Sequence, residues 1–226
     1  MSFRSVIVAR IVPGSEGTVG DVFGHYDKAT RPQDFGVIGR SLLSLDDLYI
    51  HVIERNVDPK TLERPRGLPA FQQIAEAIAP YVTPYSKNWK VPSDSVTKEF
   101  YSWLPAGQPA PEPGSVPTNL TVIVAHIKPG AEPNVASIFA ESDAGPLPTE
   151  LGVTGRWLYS LDDVYLHLME RTDAAFADAM GQNHGKPAFA KIMNDLSPFI
   201  SPYSPDTWHS PEDAVAKEFY HWRAED

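Results

Sequence analysis

The segment from Gly36 to Arg55, GVIGRSLLSLDDLYIHVIER, returns without a gap as GVTGRWLYSLDDVYLHLMER between Gly152 and Arg171, identical at thirteen of its twenty positions. A duplication this close means that two similar units have to be placed before any other element is assigned. Each copy reads as two short strand-like runs meeting at an Asp-Asp step, Asp46-Asp47 or Asp162-Asp163. Each also carries one arginine in its first run and one histidine in its second. Two units share 226 residues, about 100 apiece, an ordinary size for a small domain.

The flanking sequence completes the same plan twice. Phe3 to Ile11 is a β-branched run ended by Pro13-Gly14, a strand and a turn. Val19, Val22, Phe23 and Tyr26 then recur at helical spacing before Pro32. After the paired strands and a basic loop, DPKTLERPRG, Pro69 opens a second helix whose apolar positions are Phe71, Ile74, Ala75 and Ile78. Pro80 and Pro84 stop that helix, TPYSKNW reads as irregular, and KEFYSW, residues 98–103, reads as a last strand. The order β-α-β-β-α-β is the split-βαβ plan, so the expected class is α+β with two tandem ferredoxin-like domains. Their expected boundaries are 1–103 and 120–226. Between them, residues 104–119 hold five prolines and no periodic apolar pattern. Such a linker is semi-extended and lets the halves pack as an internal pseudo-dimer.

Composition narrows the function classes. At 42% hydrophobic and 21% charged the chain can bury a core. A net charge of -10 argues against nucleic acid or an anionic membrane as partner. The absence of cysteine removes disulfides, thiolate metal sites and thiol nucleophiles. The apolar run at the N-terminus is too short for a signal peptide or membrane span, which points to a soluble cytoplasmic protein.

The hairpin register places the polar side chains. If the turn centres on Asp46-Asp47, Ser44 pairs with Tyr49, Leu42 with His51 and Arg40 with Ile53. Side chains alternate along a strand, so Arg40, Leu42, Ser44, Tyr49, His51 and Ile53 share one face. Leu48, Ile50 and Val52 form the opposite, wholly aliphatic face, and that is the face the helices are expected to cover. The second copy puts Arg156, Ser160, Tyr165 and His167 together, opposite Val164, Leu166 and Leu168. A face with aromatics, an arginine and a histidine needs something to bury it, whether the other half or a ligand.

Five strings recur in the same order in both halves: F-x-x-x-D on the first helix, G-V-x-x-R on the second strand, D-L-Y-x-H or its D-V-Y-x-H variant on the third, PY ahead of a tryptophan, and the terminal KEFY-x-W. Together they make the chain resemble a tandem fusion of two tetracenomycin-type aromatic polyketide cyclases. The resemblance implies ferredoxin-like domains packed sheet to sheet as an intramolecular dimeric α+β barrel. It implies no metal or organic cofactor and a poly-β-ketone intermediate of aromatic polyketide biosynthesis as substrate. It implies other polyketide synthase enzymes as partners, and it leaves further oligomerisation open. Two positions depart from the family pattern. The histidine usually found directly before the helix aspartate is Tyr26 in one half and Ser142 in the other, with His25 one residue earlier in the first. At the strand turn the family's histidine is replaced by Asp46 and Asp162.

Ring closure by an aldol step needs a base between two carbonyls and a cation to steady the enolate and the new alkoxide. A histidine suits the first task and a guanidinium the second. The candidate catalytic residues are therefore His51, Arg40, Asp27 and His25 in the first half, with His167, Arg156 and Asp143 in the second. The alternative is that each Arg-His pair only bridges the halves, and that Asp27 and Asp143 are solvated helix-end charges. Tyr26, Tyr49, Tyr165, Trp103 and Trp222 are the candidate substrate-binding aromatics, with packing as the plainer role. No metal site is expected, because adjacent turn carboxylates point in different directions. The first half, holding His25, Asp27, Arg40 and His51, is the expected better catalyst. A cofactorless oxygenase of anthrone-like polyketides and a non-catalytic polyketide-binding chaperone stand as the rival functions.

Overall fold

A computed structural model describes residues 3–58, 69–105, 119–171 and 187–224. The basic loop before the second helix, most of the proline-rich linker, and His184 with its counterpart Arg66 lie outside the described residues. None of the described helices is long and apolar enough to cross a membrane.

The first half builds β1 (Phe3–Ile11), α1 (Glu16–Thr30), β2 (Val37–Leu45), β3 (Leu48–Arg55), α2 (Pro69–Ile78), a three-residue β4 (Val82–Pro84) and β5 (Lys98–Trp103). The second half repeats this as β6 (Asn119–Ile127), α3 (Glu132–Asp143), β7 (Val153–Leu161), β8 (Val164–Arg171), α5 (Pro187–Leu196), β9 (Ile200–Pro202) and β10 (Lys217–Arg223). It adds one short helix, α4 (Leu147–Glu150), between α3 and β7. These elements make two five-stranded antiparallel sheets, so the ferredoxin-like α+β plan occurs twice.

The hairpins fold in the register expected from the repeat, with Ser44 opposite Tyr49, Leu42 opposite His51 and Arg40 opposite Ile53. Asp46 and Asp162 make the two-residue turn by adopting φ of 51° and 50°. Aspartate tolerates this left-handed region better than most residues, which is how an Asp-Asp step substitutes for the usual Asn-Gly.

Two expectations are corrected. The sheets run β10-β2-β3-β1-β4 and β5-β7-β8-β6-β9. The short Val82–Pro84 segment, whose Thr83 and Pro84 fall in the stretch expected to be irregular, pairs with β1 as the fourth strand of the ferredoxin order. A three-residue strand containing proline has little sequence signature, and proline is tolerated there because the strand is an edge. The KEFY strands are fifth strands, and each half gives its own to the other sheet: β10 pairs with β2, and β5 with β7. Among the described residues, those up to Thr97 and from Lys217 onward form one compact unit, and Lys98 to Ala216 belong to the other. The compact units thus differ from the repeat halves 1–103 and 120–226 by an exchange of last strands.

The second correction concerns the faces. The helices cover the face with the arginine and histidine, not the aliphatic one. In the first unit Val19 and Phe23 of α1 and Ile74 and Ile78 of α2 pack with Ala9, Leu42 and Tyr49. Leu48, Ile50 and Val52 are fully buried as well. A strand buried on both faces carries an unbroken apolar run rather than an alternation, and LYIHVI is such a run. On α2 the buried face is also narrower than expected, with Phe71 43% exposed.

Candidate active site

Helix α1 brings Val19, Phe23 and Asp27 onto one face at four-residue spacing, and all three are buried. Asp27, at 5% exposure, is not a solvated helix-end charge. Its Oδ2 lies 3.2 Å from Arg40 Nε, which reaches it from β2. The same oxygen accepts a 2.9 Å hydrogen bond from the Tyr220 hydroxyl on β10. A β-bulge between Glu218 and Tyr220 sets this aim. It turns the consecutive Phe219 and Tyr220 toward the same helix-covered core. Phe23 completes the group, with the Arg40 guanidinium 5.2 Å from its ring centre and His51 edge-on at 5.2 Å.

The second unit repeats the arrangement. Arg156 Nε is 3.4 Å from Asp143 Oδ1, and the Tyr101 hydroxyl donates to Asp143 Oδ2 at 2.8 Å. Arg156 sits 4.7 Å from the centre of the Phe139 ring, whose edge contact with His167 is 4.9 Å. Tyr101 comes from the strand given by the first half, again past a bulge, between Glu99 and Tyr101.

The electrostatics follow from burial. His167 is held well below the usual histidine range, first by desolvation and then by the Arg156 and Arg171 guanidiniums. His51 is lowered in the same way by burial, Arg40 and Arg55. Both rings are therefore neutral at neutral pH. Asp27 and Asp143 are raised by burial, an effect opposed by their arginines and by the tyrosine hydrogen bonds. Tyr101 and Tyr220 are raised by burial and by the carboxylates they bond, so they remain protonated donors.

A cavity of about 370 Å³ opens in the second unit between the β-sheet face and the helices. Its polar wall includes Arg156, His167, Tyr165 and Arg171, and its apolar wall includes Phe139, Leu147, Leu151, Met169, Ile192 and Trp208. His167 Nε2 and the Tyr165 hydroxyl have no hydrogen-bond partner among the described residues. Both side chains are more than nine-tenths buried, and both residues line the cavity.

The structure brings together Asp27, Arg40, His51 and Tyr49 in one unit, and Asp143, Arg156, His167 and Tyr165 in the other. It separates His25, which is exposed and lines an open groove with Lys28, Tyr220 and Trp222. Two residues before Asp27 on a helix, it faces elsewhere. Tyr26 is half-buried and packs edge-on against His25. Trp103 lies behind the cavity wall, against Leu147, Leu151 and Met169. Sequence reasoning missed Tyr101 and Tyr220 as partners of the aspartates. The duplicated KEFY was visible, but its destination was not. Among the described residues, no cluster of three or more histidine or acidic side chains is placed to hold a metal ion.

An apolar cavity with a few convergent polar groups, here a buried ion pair, a neutral histidine and a tyrosine, has the general character of a small-molecule site. The family model for polyketide synthesis cyclases matches twice, over residues 3–104 and 119–223, and the chain belongs to that family. An uncharacterised protein of Streptomyces coelicolor is 47% identical over 103 residues, 45% of this chain and 92% of that protein. Tetracenomycin F2 cyclase of Streptomyces glaucescens is 36% identical over 104 residues, 46% of this chain and 95% of the cyclase. Among solved structures, an anthrone oxidase-like protein superposes with a TM-score of 0.55 over 99% of this chain and 94% of its own, at 10% identity. That last likeness is one of fold alone.

Proposed function

We propose that this polyketide cyclase closes a ring of an aromatic poly-β-ketone by an intramolecular aldol condensation followed by loss of water, without a cofactor. The observation that carries this reading is the cavity that joins Arg156 and the unpartnered Nε2 of His167 in one apolar enclosure. A relative that is a tetracenomycin F2 cyclase supports the substrate class.

The residues supply each step. A 1,3-dicarbonyl oxygen lies against Arg156, which stabilises the enolate as charge develops in a dry site. Neutral His167 takes the proton from the carbon between the carbonyls. That carbon attacks a second carbonyl carbon of the same chain, forming one C–C bond and an alkoxide. Burial and two guanidiniums disfavour imidazolium, so His167 returns its proton at once, to the new alkoxide. His167 then removes the remaining proton of the attacking carbon and delivers it to that hydroxyl, so the C–O bond breaks, water leaves and a C=C bond forms in the ring. One bond is made, one water leaves and no electrons change hands. Asp143 and Tyr101 hold Arg156 in place, and Phe139 fixes the spacing of arginine and histidine.

This reading puts turnover in the second unit, against the sequence-based preference for the first, since His25 stands apart from the buried group. Anaerobic incubation with candidate poly-β-ketones, followed by mass analysis, tests it. The product should be lighter than the substrate by one water and form equally with or without oxygen. Oxygen-dependent product, or full turnover in a variant carrying both H51A and H167A, would sink the reading.

A further inference from the structure

The second unit's cavity carries more positive charge than ring closure needs. Tyr165, His167, Met169 and Arg171 follow one another at two-residue spacing on β8, so all four face the cavity they line. Arg156 sits opposite Met169 in the β7–β8 register, a diagonal neighbour of both His167 and Arg171. Arg156 has Asp143 as its counter-charge. Arg171 has no carboxylate among the described residues. Its Nη2 meets only the Met169 thioether, at 3.8 Å, and its Nε is buried without a partner. A thioether is a weak acceptor and leaves the guanidinium's charge unanswered. Glu212, the carboxylate in the cavity wall, lies in the Pro211–Ala214 turn, and the influences on Arg171 are burial and the Arg156 charge rather than a carboxylate.

Two guanidiniums in one apolar enclosure repel each other, and the second is stabilised when an anion enters. Arg171 also stands four residues beyond His167, about 13 Å along the strand. That separation lets one molecule touch both residues if it spans two or three fused rings. The planar fork of an arginine matches a carboxylate by two parallel hydrogen bonds.

We propose that Arg171 is an anion subsite that binds a carboxylate of the aromatic polyketide, so that the second unit selects a free carboxylic acid and holds its reacting carbonyls at Arg156 and His167. The inference rests on the cyclase reading for the substrate's aromatic character, but its charge requirement stands on the cavity alone. The reaction that supplies this substrate must therefore deliver it with its carboxylate free.

Binding of an anthraquinone carboxylate and of its methyl ester, followed by tryptophan fluorescence and calorimetry on the full chain, tests the subsite. The acid should bind about tenfold more tightly than the ester, the size expected of one charge-assisted pair. R171Q should remove that preference, bringing acid and ester to equal affinity, and R171K should keep part of it. R55Q, at the matching position of the first unit, should leave the preference intact. Equal binding of acid and ester by the unsubstituted protein overturns the proposal, as does a preference that survives R171Q or disappears with R55Q. A melting curve of R171Q matching the parent shows that a lost preference is not a lost fold. Because no turnover is read, failure of the subsite and failure of the cyclase reading give different results.

Discussion

The two units share a frame and differ in what closes it. After the helix aspartate, each runs eight residues to the glycine that opens the repeat, KATRPQDF in one and AGPLPTEL in the other. In the first unit α1 continues to Thr30, turns at Arg31 in a left-handed conformation and runs into a Pro32–Phe35 turn. In the second, α3 stops at Asp143 and Gly145-Pro146 starts α4. That short helix puts Leu147 and Leu151 into the cavity wall. The arginine side chain is 10% exposed in the first unit and 3% in the second. Equal length with different local breakers has placed two leucines beside the buried arginine and histidine, in the wall of the second unit's cavity. Duplication preserved the polar constellation, while the segment beside it diverged.

The sharpest way to break this comparison is to remove each histidine separately. H167A should lower kcat by about 100- to 10,000-fold, the usual worth of a general base, and H51A only a few-fold. Steady-state kinetics of the two variants checks this, and equal losses would mean that both units turn over. Filling the cavity comes next. L151W should raise KM by about tenfold or more, since overpacking a wall displaces ligand before it unfolds a domain. Ligand titration with a melting curve separates the two effects.

The exchanged strands give a smaller effect. Y101F takes the donor from Asp143 Oδ2 and should cost about 1–3 kcal/mol of transition-state stabilisation, seen in kcat with KM unchanged. Y220F, which does the same at Asp27, should have less effect. A loss confined to stability would make Tyr101 structural rather than positioning.

Least in size is the pH dependence of stability. His51 and His167 bind protons more weakly in the folded than in the unfolded chain. The unfolded state therefore takes up more protons as pH falls through about 6.5. Their contribution is complete above that pH and is lost progressively below it. Asp27 and Asp143, raised by burial, act in the opposite sense, their contribution falling as pH rises past about 4. The Tm should thus drop between neutral and mildly acidic pH, and H51N with H167N should flatten that slope. The acid limb of turnover should likewise lie below the ordinary histidine range.

Much of the site could be read along the chain. F-x-x-x-D placed Phe23 with Asp27 and Phe139 with Asp143, because a helix returns to the same face every four residues. The hairpin register placed Arg40 near His51 and Arg156 near His167, because strand parity is a local matter of period two. His25 was drawn into the candidate set by proximity in sequence, where helical geometry should have kept it out. Arg171 was passed over because a strand-end arginine looks like any solvated charge until a cavity is seen beside it.

By itself, then, the sequence determined the repeated elements, their order, the hairpin register and which side chains share a face. Only the tertiary structure decided which face the helices cover, since both faces of β3 are buried and parity cannot rank them. It also decided which sheet each KEFY strand joins. KEFYSW and KEFYHW differ at one residue, so nothing local distinguishes the strand's own sheet from the other. That choice is made by long-range pairing, and it is what delivers Tyr101 to Asp143 and Tyr220 to Asp27. The duplicated hairpin carries its arginine and histidine in its sequence, but which face is covered and which tyrosine meets the aspartate come from how the chain closes.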